Sequence, residues 1–395
     1  MSSTDLIHKA IKKYGTPLYI FDQDILTKRI QFLQDSLPSH VHLCYAAKAN
    51  SFVLPMIKPL IDHYEICSPG EFKICKKLNI QNKNIVLSGV FKDPKDLEEL
   101  FLSSEELPII TIESVNQFLN VNLLAEQTNK KVKILLRLTS GNQFGLDWKE
   151  LEHFISQRDS YPFLEFIGIQ FFSGTQKFSH KKILREFNYL EEILEKLKNL
   201  NYKPSILEYG PGLPIDYFNT MSYEEKEHLT FFSDQLLRFK ELTIILEIGR
   251  GIVAHCGSYA TQVVDKKINE GQNYVIVDGG IHHIVYYGQG MAMKLPPFTF
   301  TSSNKLAKKG LWNICGALCT VNDILMKQVM LPEPELGDYF IFKNAGAYCS
   351  TEGISLFLTR DLPAVCAINK NNITILRNHT SIVNLNTPNT LEKGE

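Results

Sequence analysis

Short runs of β-branched and apolar residues alternate, through the first two thirds of the chain, with longer stretches whose apolar positions return every three to four residues. Eight runs read as strands: 42–46, 64–67, 85–87, 109–112, 132–138, 165–171, 205–208 and 243–247. Between the sixth and seventh, Ile183, Leu184, Phe187, Leu190, Ile193, Leu194 and Leu197 recur at helical spacing with charges on the opposite face, which predicts an amphipathic crossover helix. Eight strands alternating with helices over roughly 230 residues predict a closed (β/α)8 barrel, whose usual length is ~250 residues, rather than an open doubly wound sheet.

The texture changes after about residue 260. The segments 259–265, 274–278, 338–343, 355–358, 364–368 and 373–377 read as short strands separated by Gly, Pro and Asn turns, which predicts a β-sandwich or β-barrel domain. The expected division is a barrel over 26–260, with 1–25 and 261–395 forming the β domain. The chain from Thr380 onward is polar and Asn-rich and reads as a fraying tail.

Composition narrows the function classes. A chain of 395 residues with 44% hydrophobic content can bury two cores. Its 42 Lys plus Arg against 43 Asp plus Glu leave no net field to draw nucleic acid or an anionic membrane, so a small molecule is the expected partner. Met1 to Ala10 is polar, and no stretch approaches the ~20 apolar residues of a membrane span, so a soluble cytoplasmic protein is expected. The 8 cysteines lack CxxC pairing and read as free thiols. Cys315 and Cys319 have no His or Cys partners at ligand spacing, so no metal is expected.

Chemistry in such barrels gathers at the C-terminal ends of the strands. Lys48 stands there after the first strand, in Tyr45-Ala46-Ala47-Lys48-Ala49-Asn50, flanked by residues too small to crowd anything held by its amine. Gly210-Pro211-Gly212 follows the seventh strand and Glu247-Ile248-Gly249-Arg250 ends the eighth, where barrel phosphate sites are frequently built. An amine able to hold an aldehyde, an anion cradle, a carboxylate and an arginine are thus expected at one end.

These runs are joined in order by Tyr14-Gly15-Thr16-Pro17-Leu18-Tyr19, Glu65-Ile66-Cys67-Ser68-Pro69-Gly70-Glu71, Gln143-Phe144-Gly145, Ser173-Gly174-Thr175-Gln176, Val277-Asp278-Gly279-Gly280, Cys319-Thr320-Val321-Asn322-Asp323 and Gly346-Ala347-Tyr348. In this the chain resembles the fold-type III pyridoxal-phosphate decarboxylases, which include diaminopimelate, ornithine and arginine decarboxylases, with the diaminopimelate enzymes nearest in overall pattern. The resemblance implies that Lys48 holds pyridoxal 5'-phosphate and that Glu247 pairs with its ring nitrogen. Gly210, Gly212, Gly249, Arg250, Tyr348 and the Thr175 hydroxyl would hold the phosphate, with Pro211 removing one N–H that the family's third glycine provides. It also implies that Cys319 returns a proton to the substrate Cα from the neighbouring subunit of a homodimer with shared active sites, Asp323 lying beside it.

Three departures from the family bear on the substrate. Phe172 stands where many relatives stack a histidine on the cofactor ring. Thr320 follows Cys319 where ornithine and diaminopimelate decarboxylases carry an acid for the distal amine. The segment Ile281-His282-His283-Ile284-Val285-Tyr286-Tyr287 is short and lacks the diaminopimelate enzymes' arginine, leaving His282, His283 and Tyr287 as candidate substrate contacts with Thr320 and Asp323. The expected substrate is an amino acid whose distal end is neutral, acidic or conjugated, such as a siderophore precursor. Two other readings stay open from sequence: a racemase of the alanine racemase type, and an inactive decarboxylase-like binding protein that regulates a partner.

Overall fold

The computed structural model describes residues 3–221, 223–304 and 306–389. The chain divides into two compact units, one of Thr27–Ile215 with Ser222–Ile252, the other of Met1–Leu26, Asp216–Met221 and Val253–Glu395. The short segment Asp216–Met221, read from sequence as part of the barrel, groups with the second unit.

The first strand, β1 (Leu18–Asp22), belongs to the second unit, and the next eight close the barrel. They are β2 (Val41–Ala46), β3 (His63–Ile66), β4 (Ile85–Leu87), β5 (Ile109–Ile112), β6 (Val132–Leu138), β7 (Leu164–Phe172), β8 (Ile206–Gly210) and β9 (Thr243–Ile248). All pair in parallel, and β9 returns to β2 with Val41 opposite Ile244 and Tyr45 opposite Ile248. Parallel strands covered on both faces read as continuous apolar runs, and β5 is buried at all four positions. Cys44, Val86, Ile109, Leu135 and Ile245 pack together as an apolar cluster. The predicted crossover helix spans His180–Asn199 and buries Ile183, Phe187, Leu190, Ile193 and Leu197, whereas Leu184 is 41% exposed.

The second unit is built on a mixed sheet of β1 with β10 (Gly257–Asn269), β11 (Gln272–Val277), β12 (Phe298–Thr301), β13 (Lys309–Cys315), β14 (Ile324–Pro332), β15 (Tyr339–Phe342), β16 (Ala364–Asn369) and β17 (Asn372–Arg377). Strand β1 lies between β10, antiparallel, and β16, parallel. The helix Ser3–Tyr14, which sequence reading missed, lays Leu6 and Ala10 on Leu18, Ile20, Ala260, Ile341, Ala364, Cys366 and Ile368. One expected strand is absent: 355–358 contains no ladder, and Phe357–Thr359 is a 3-10 turn with Leu358 at φ 58°. Leu356, Phe357 and Leu358 are 53%, 42% and 49% exposed, so the apolar run has neither a pairing edge nor a covering layer.

Candidate active site

Lys48 sits in the 3-10 turn Ala47–Ala49 that follows β2. Ala47 and Ala49 are buried, while the Lys48 side chain keeps 37% of its surface open. Two local bonds hold the turn: Asn50 Oδ1 accepts from the Phe52 N–H at 3.0 Å, and Tyr45 O–H donates to the Asn50 carbonyl at 2.8 Å. The ammonium donates to Glu65 Oε2 at 2.9 Å and Oε1 at 3.2 Å, and to Glu247 Oε1 at 3.1 Å. Gln170 on β7 donates to the other Glu247 oxygen at 3.3 Å.

Behind Glu65 the chain turns into the helix Pro69–Lys77, and its cap fixes a thiol beside the lysine. Ser68 Oγ, at the helix N-cap, accepts from the Glu71 N–H at 3.2 Å, while Glu71 Oε2 accepts from the N–H of Cys67, the residue before the cap, at 2.7 Å. Cys67 Sγ donates to Glu65 Oε1 at 2.9 Å and stands 3.9 Å from Lys48 Nζ.

Two buried carboxyls hold the ammonium, and a third, Glu208, is near enough to feel its charge. Burial and then the charge of Glu65 push Glu247 up to about 7, against the pull of Lys48. Burial acts to raise Glu65 as well, but the Lys48 ammonium and hydrogen bonds involving Glu247, Cys67 and Lys48 outweigh it and hold it below the usual range. Glu208 on β8 is wholly buried, and neither carboxyl oxygen has a hydrogen-bond partner among the described residues. Burial, then the charges of Glu247 and Glu65, raise its proton affinity well above the usual carboxylate range. Arg137, also buried, is engaged by Glu113 at 2.8 Å.

The loops after β7 and β8 meet beside this cluster. Gln176 donates to the Ile215 carbonyl at 2.9 Å and accepts from its N–H at 2.7 Å, and the Lys177 N–H donates to the Gly212 carbonyl at 2.9 Å. Gly212 has φ +58°, and a Cβ there would lie 2.3 Å from the Gly174 carbonyl oxygen. A Cβ on Gly210 would lie 2.3 Å from the Phe172 ring. Thr175 is exposed in the same loop, Arg250 is buried just past β9, and the Gly249 carbonyl accepts from the Ile252 N–H at 3.0 Å. The Phe172 ring has the Lys48 ammonium 6.0 Å from its centroid. An accessible amine, a buried carboxyl with raised proton affinity and glycine loops without room for side chains fit a phosphorylated pyridine aldehyde.

The remaining candidates lie in the second unit. Cys319 is exposed and Thr320 half-buried on a loop organised by Asp323, whose two oxygens accept from the Ile281 and Leu318 N–H groups, each at 2.8 Å. The Asp323 carboxylate, expected as a substrate contact, ties these two loops together. His283 is likewise built into its surroundings, with Nδ1 3.1 Å from the Tyr259 hydroxyl and Nε2 2.9 Å from the Asp361 carbonyl. His282 packs against it with ring centroids 3.7 Å apart and the planes tilted by 40°, is 2% exposed, and has no hydrogen-bond partner at either nitrogen among the described residues. Burial lowers both imidazoles, His282 to about 4 and His283 to about 3. Tyr287 is 45% exposed, and Tyr348 takes the left-handed φ of 63°.

Sequence reading singled out neither Glu65, Cys67 and Glu208 nor Lys177 and Glu186 as site residues. The available signal was an acid inside an otherwise apolar strand, as at Glu65 and Glu208, because such residues are almost never fully buried without a task. Among the described residues no group of His, Cys, Asp and Glu could hold a metal ion, and no helix is long and apolar enough to cross a membrane.

Comparison with known proteins bears on this geometry. Residues 18–346 match the family model described as pyridoxal-dependent decarboxylase, C-terminal sheet domain. The chain is 27% identical to the L-glutamyl-BtrI acyl-carrier protein decarboxylase of Niallia circulans, with 85% of each chain covered. It is 26% identical to the 2-((L-alanin-3-ylcarbamoyl)methyl)-2-hydroxybutanedioate decarboxylase of Staphylococcus aureus, over 84% of this chain and 88% of that one. The crystal structure of diaminopimelate decarboxylase from Helicobacter pylori complexed with L-lysine superposes with a TM-score of 0.84 at 23% identity, over 96% of this chain and 98% of that one, a likeness of fold.

Proposed function

Since the chain belongs to the pyridoxal-dependent decarboxylases and is an amino-acid decarboxylase, we propose that Lys48 carries pyridoxal 5'-phosphate and that the substrate's distal end is acidic or conjugated rather than a free ammonium. The observation that carries the reading is the Lys48 ammonium, accessible at the barrel mouth and held at 2.9 Å and 3.1 Å by carboxylates of β3 and β9.

When bound, pyridoxal phosphate supplies an electron sink for the pair that departing CO2 leaves on Cα. The chain's own residues manage protons and position. Glu65, below the usual carboxylate range, keeps a negative charge against Lys48 and orients its amine. Glu247, with its proton affinity raised into the neutral range, can hold a proton where a basic ring nitrogen would face it. Gln170 fixes the rotation of that carboxyl. Phe172 is the stacking surface, and Gly210, Gly212, Gly249, Thr175, Arg250 and Tyr348 are the candidate phosphate ligands. Cys319 is the candidate donor of the proton to Cα, contributed by the partner chain of a homodimer, with Thr320, His282, His283 and Tyr287 as candidates for the distal end of the substrate.

Two observations support the substrate class. Thr320 cannot hold a distal ammonium as an acid would, and two of the sequence relatives, among others that are diaminopimelate decarboxylases, act by their names on a carrier-bound glutamyl group and on a hydroxybutanedioate conjugate. The test is CO2 release from a panel of amino acids and conjugates, combined with borohydride reduction and peptide mapping. The pyridoxyl group is expected on Lys48, and Lys48→Ala should lose the visible band of the bound aldehyde. A pyridoxyl group on any other lysine removes the site assignment. Meso-diaminopimelate and ornithine should turn over poorly; a kcat/KM for either within the ordinary ~10⁴–10⁸ M⁻¹s⁻¹ refutes the substrate class.

A further inference from the structure

A second lysine is buried beside the glycine loops, and nothing in the proposed chemistry uses it. The Lys177 side chain has no exposed surface; its ammonium donates to Glu186 Oε2 at 2.8 Å and to the Gly210 carbonyl at 3.1 Å. It lies 5.8 Å from the centroid of the Phe172 ring and 5.2 Å from that of Tyr209. Glu186, on the helix His180–Asn199, collects two further donors: the Tyr209 hydroxyl at 2.7 Å and Ser173 Oγ. One carboxylate thus ties the loop after β7, the end of β8 and the crossover helix together. The Lys177 N–H holds Gly212 from the other side.

Stability alone does not account for this arrangement, because a buried ion pair is often matched or bettered by apolar residues of similar volume. Its orientation is the informative part. The carboxylate lies toward the helix, and the ammonium lies toward the Gly210 carbonyl, one residue before Pro211, whose ring nitrogen has no hydrogen to offer an anion. We propose that Lys177, paired with Glu186, is a positioning residue for the cofactor phosphate, fixing the two loops and turning the positive end of a buried pair toward the cradle that Pro211 leaves one donor short. Burial lowers the Lys177 ammonium while Glu186 opposes the shift. The inference rests on the reading of Lys48 and the glycine loops as the cofactor site.

The test compares two aldehydes that differ by the phosphate. Protein stripped of cofactor is titrated with pyridoxal phosphate and with pyridoxal, and the ratio of dissociation constants is read for the wild type, Lys177→Met, Lys177→Arg and the double variant Lys177→Met/Glu186→Gln. The double variant leaves no unpaired buried charge and carries the test if the single one does not fold. The preference for the phosphorylated aldehyde should fall roughly ten-fold in Lys177→Met, where one charge is lost across a partly screened site, and by a smaller factor in the double variant, where the oriented pair is lost whole; Lys177→Arg should keep most of it. A purely structural role weakens both aldehydes together, so a folded Met variant with the wild-type ratio overturns the proposal. Wild-type protein that takes up neither aldehyde overturns the cofactor reading itself and the inference with it.

Discussion

Glu65 and Glu247 share a single ammonium with Glu208 buried nearby, and that crowding of carboxyls makes pH a direct probe of the site. Glu247 is raised from 4.5 to about 7 in the folded chain, chiefly by burial. A group with a raised folded pKa contributes stability that is complete below its unfolded pKa and is lost as pH rises through the folded one. The cofactor-free protein should therefore lose up to about 3 kcal/mol between pH 5 and pH 8 from this residue, at ~1.4 kcal/mol per pKa unit. Glu247→Gln removes the titration, so its stability relative to wild type should improve as pH rises. Urea unfolding of both proteins at pH 5 and pH 8 checks this, and a constant difference between them refutes it. Lys48, Glu247 and the glycines were readable in the sequence because their motifs stand at strand ends. Glu208 left only the mark of an acid within an apolar strand, and Lys177 left none, since its role depends on what burial removes from around it.

At the scale of elements, the helix Pro69–Lys77 carries the nearest local support of the amine. Ser68→Ala deletes the acceptor for the Glu71 N–H and should cost about 1 kcal/mol of stability. It should also speed hydrogen exchange at Glu71 and, through the Glu71–Cys67 bond, at Cys67. Mass-resolved exchange of the peptide spanning 65–72 reads both amides, and unchanged protection would show that the cap does not anchor the loop. All eight barrel strands were recoverable from pattern because burial on both faces leaves short, mostly apolar runs between the helical stretches. Strands β12, β13 and β14 were not. Lys309 and Gly310 open β13, a register shift interrupts its pairing with β14 between Trp312 and Ile314, and Gln328 takes a left-handed φ inside β14, so the alternation that marks a half-buried strand is broken. The run at 355–358 failed in the opposite sense, apolar without a partner strand.

At the scale of the whole molecule, the proposed division of labour between Lys48 and Cys319 makes the assembly testable. If Cys319 serves the partner's cofactor, Lys48→Ala and Cys319→Ala are each nearly inactive alone, but a mixed dimer holds one site with both residues intact. Mixing under conditions where subunits exchange should restore part of the activity, and a mixture as inactive as its components excludes sharing. Closed two-fold dimers, the commonest oligomers, permit this geometry. The position of β1 has a consequence in time. Residues 18–22 leave the ribosome before any barrel strand, yet one edge of β1 pairs with 257–260 and the other with 364–368. During synthesis the barrel's eight strands are all complete by residue 248, while the backbone donors and acceptors on the second edge of β1 wait for more than a hundred residues beyond that. Until 257–260 are made β1 has no partner strand, and until 364–368 are made it has one at most, so an apolar strand stays incompletely paired through most of elongation and offers a chaperone a target during translation.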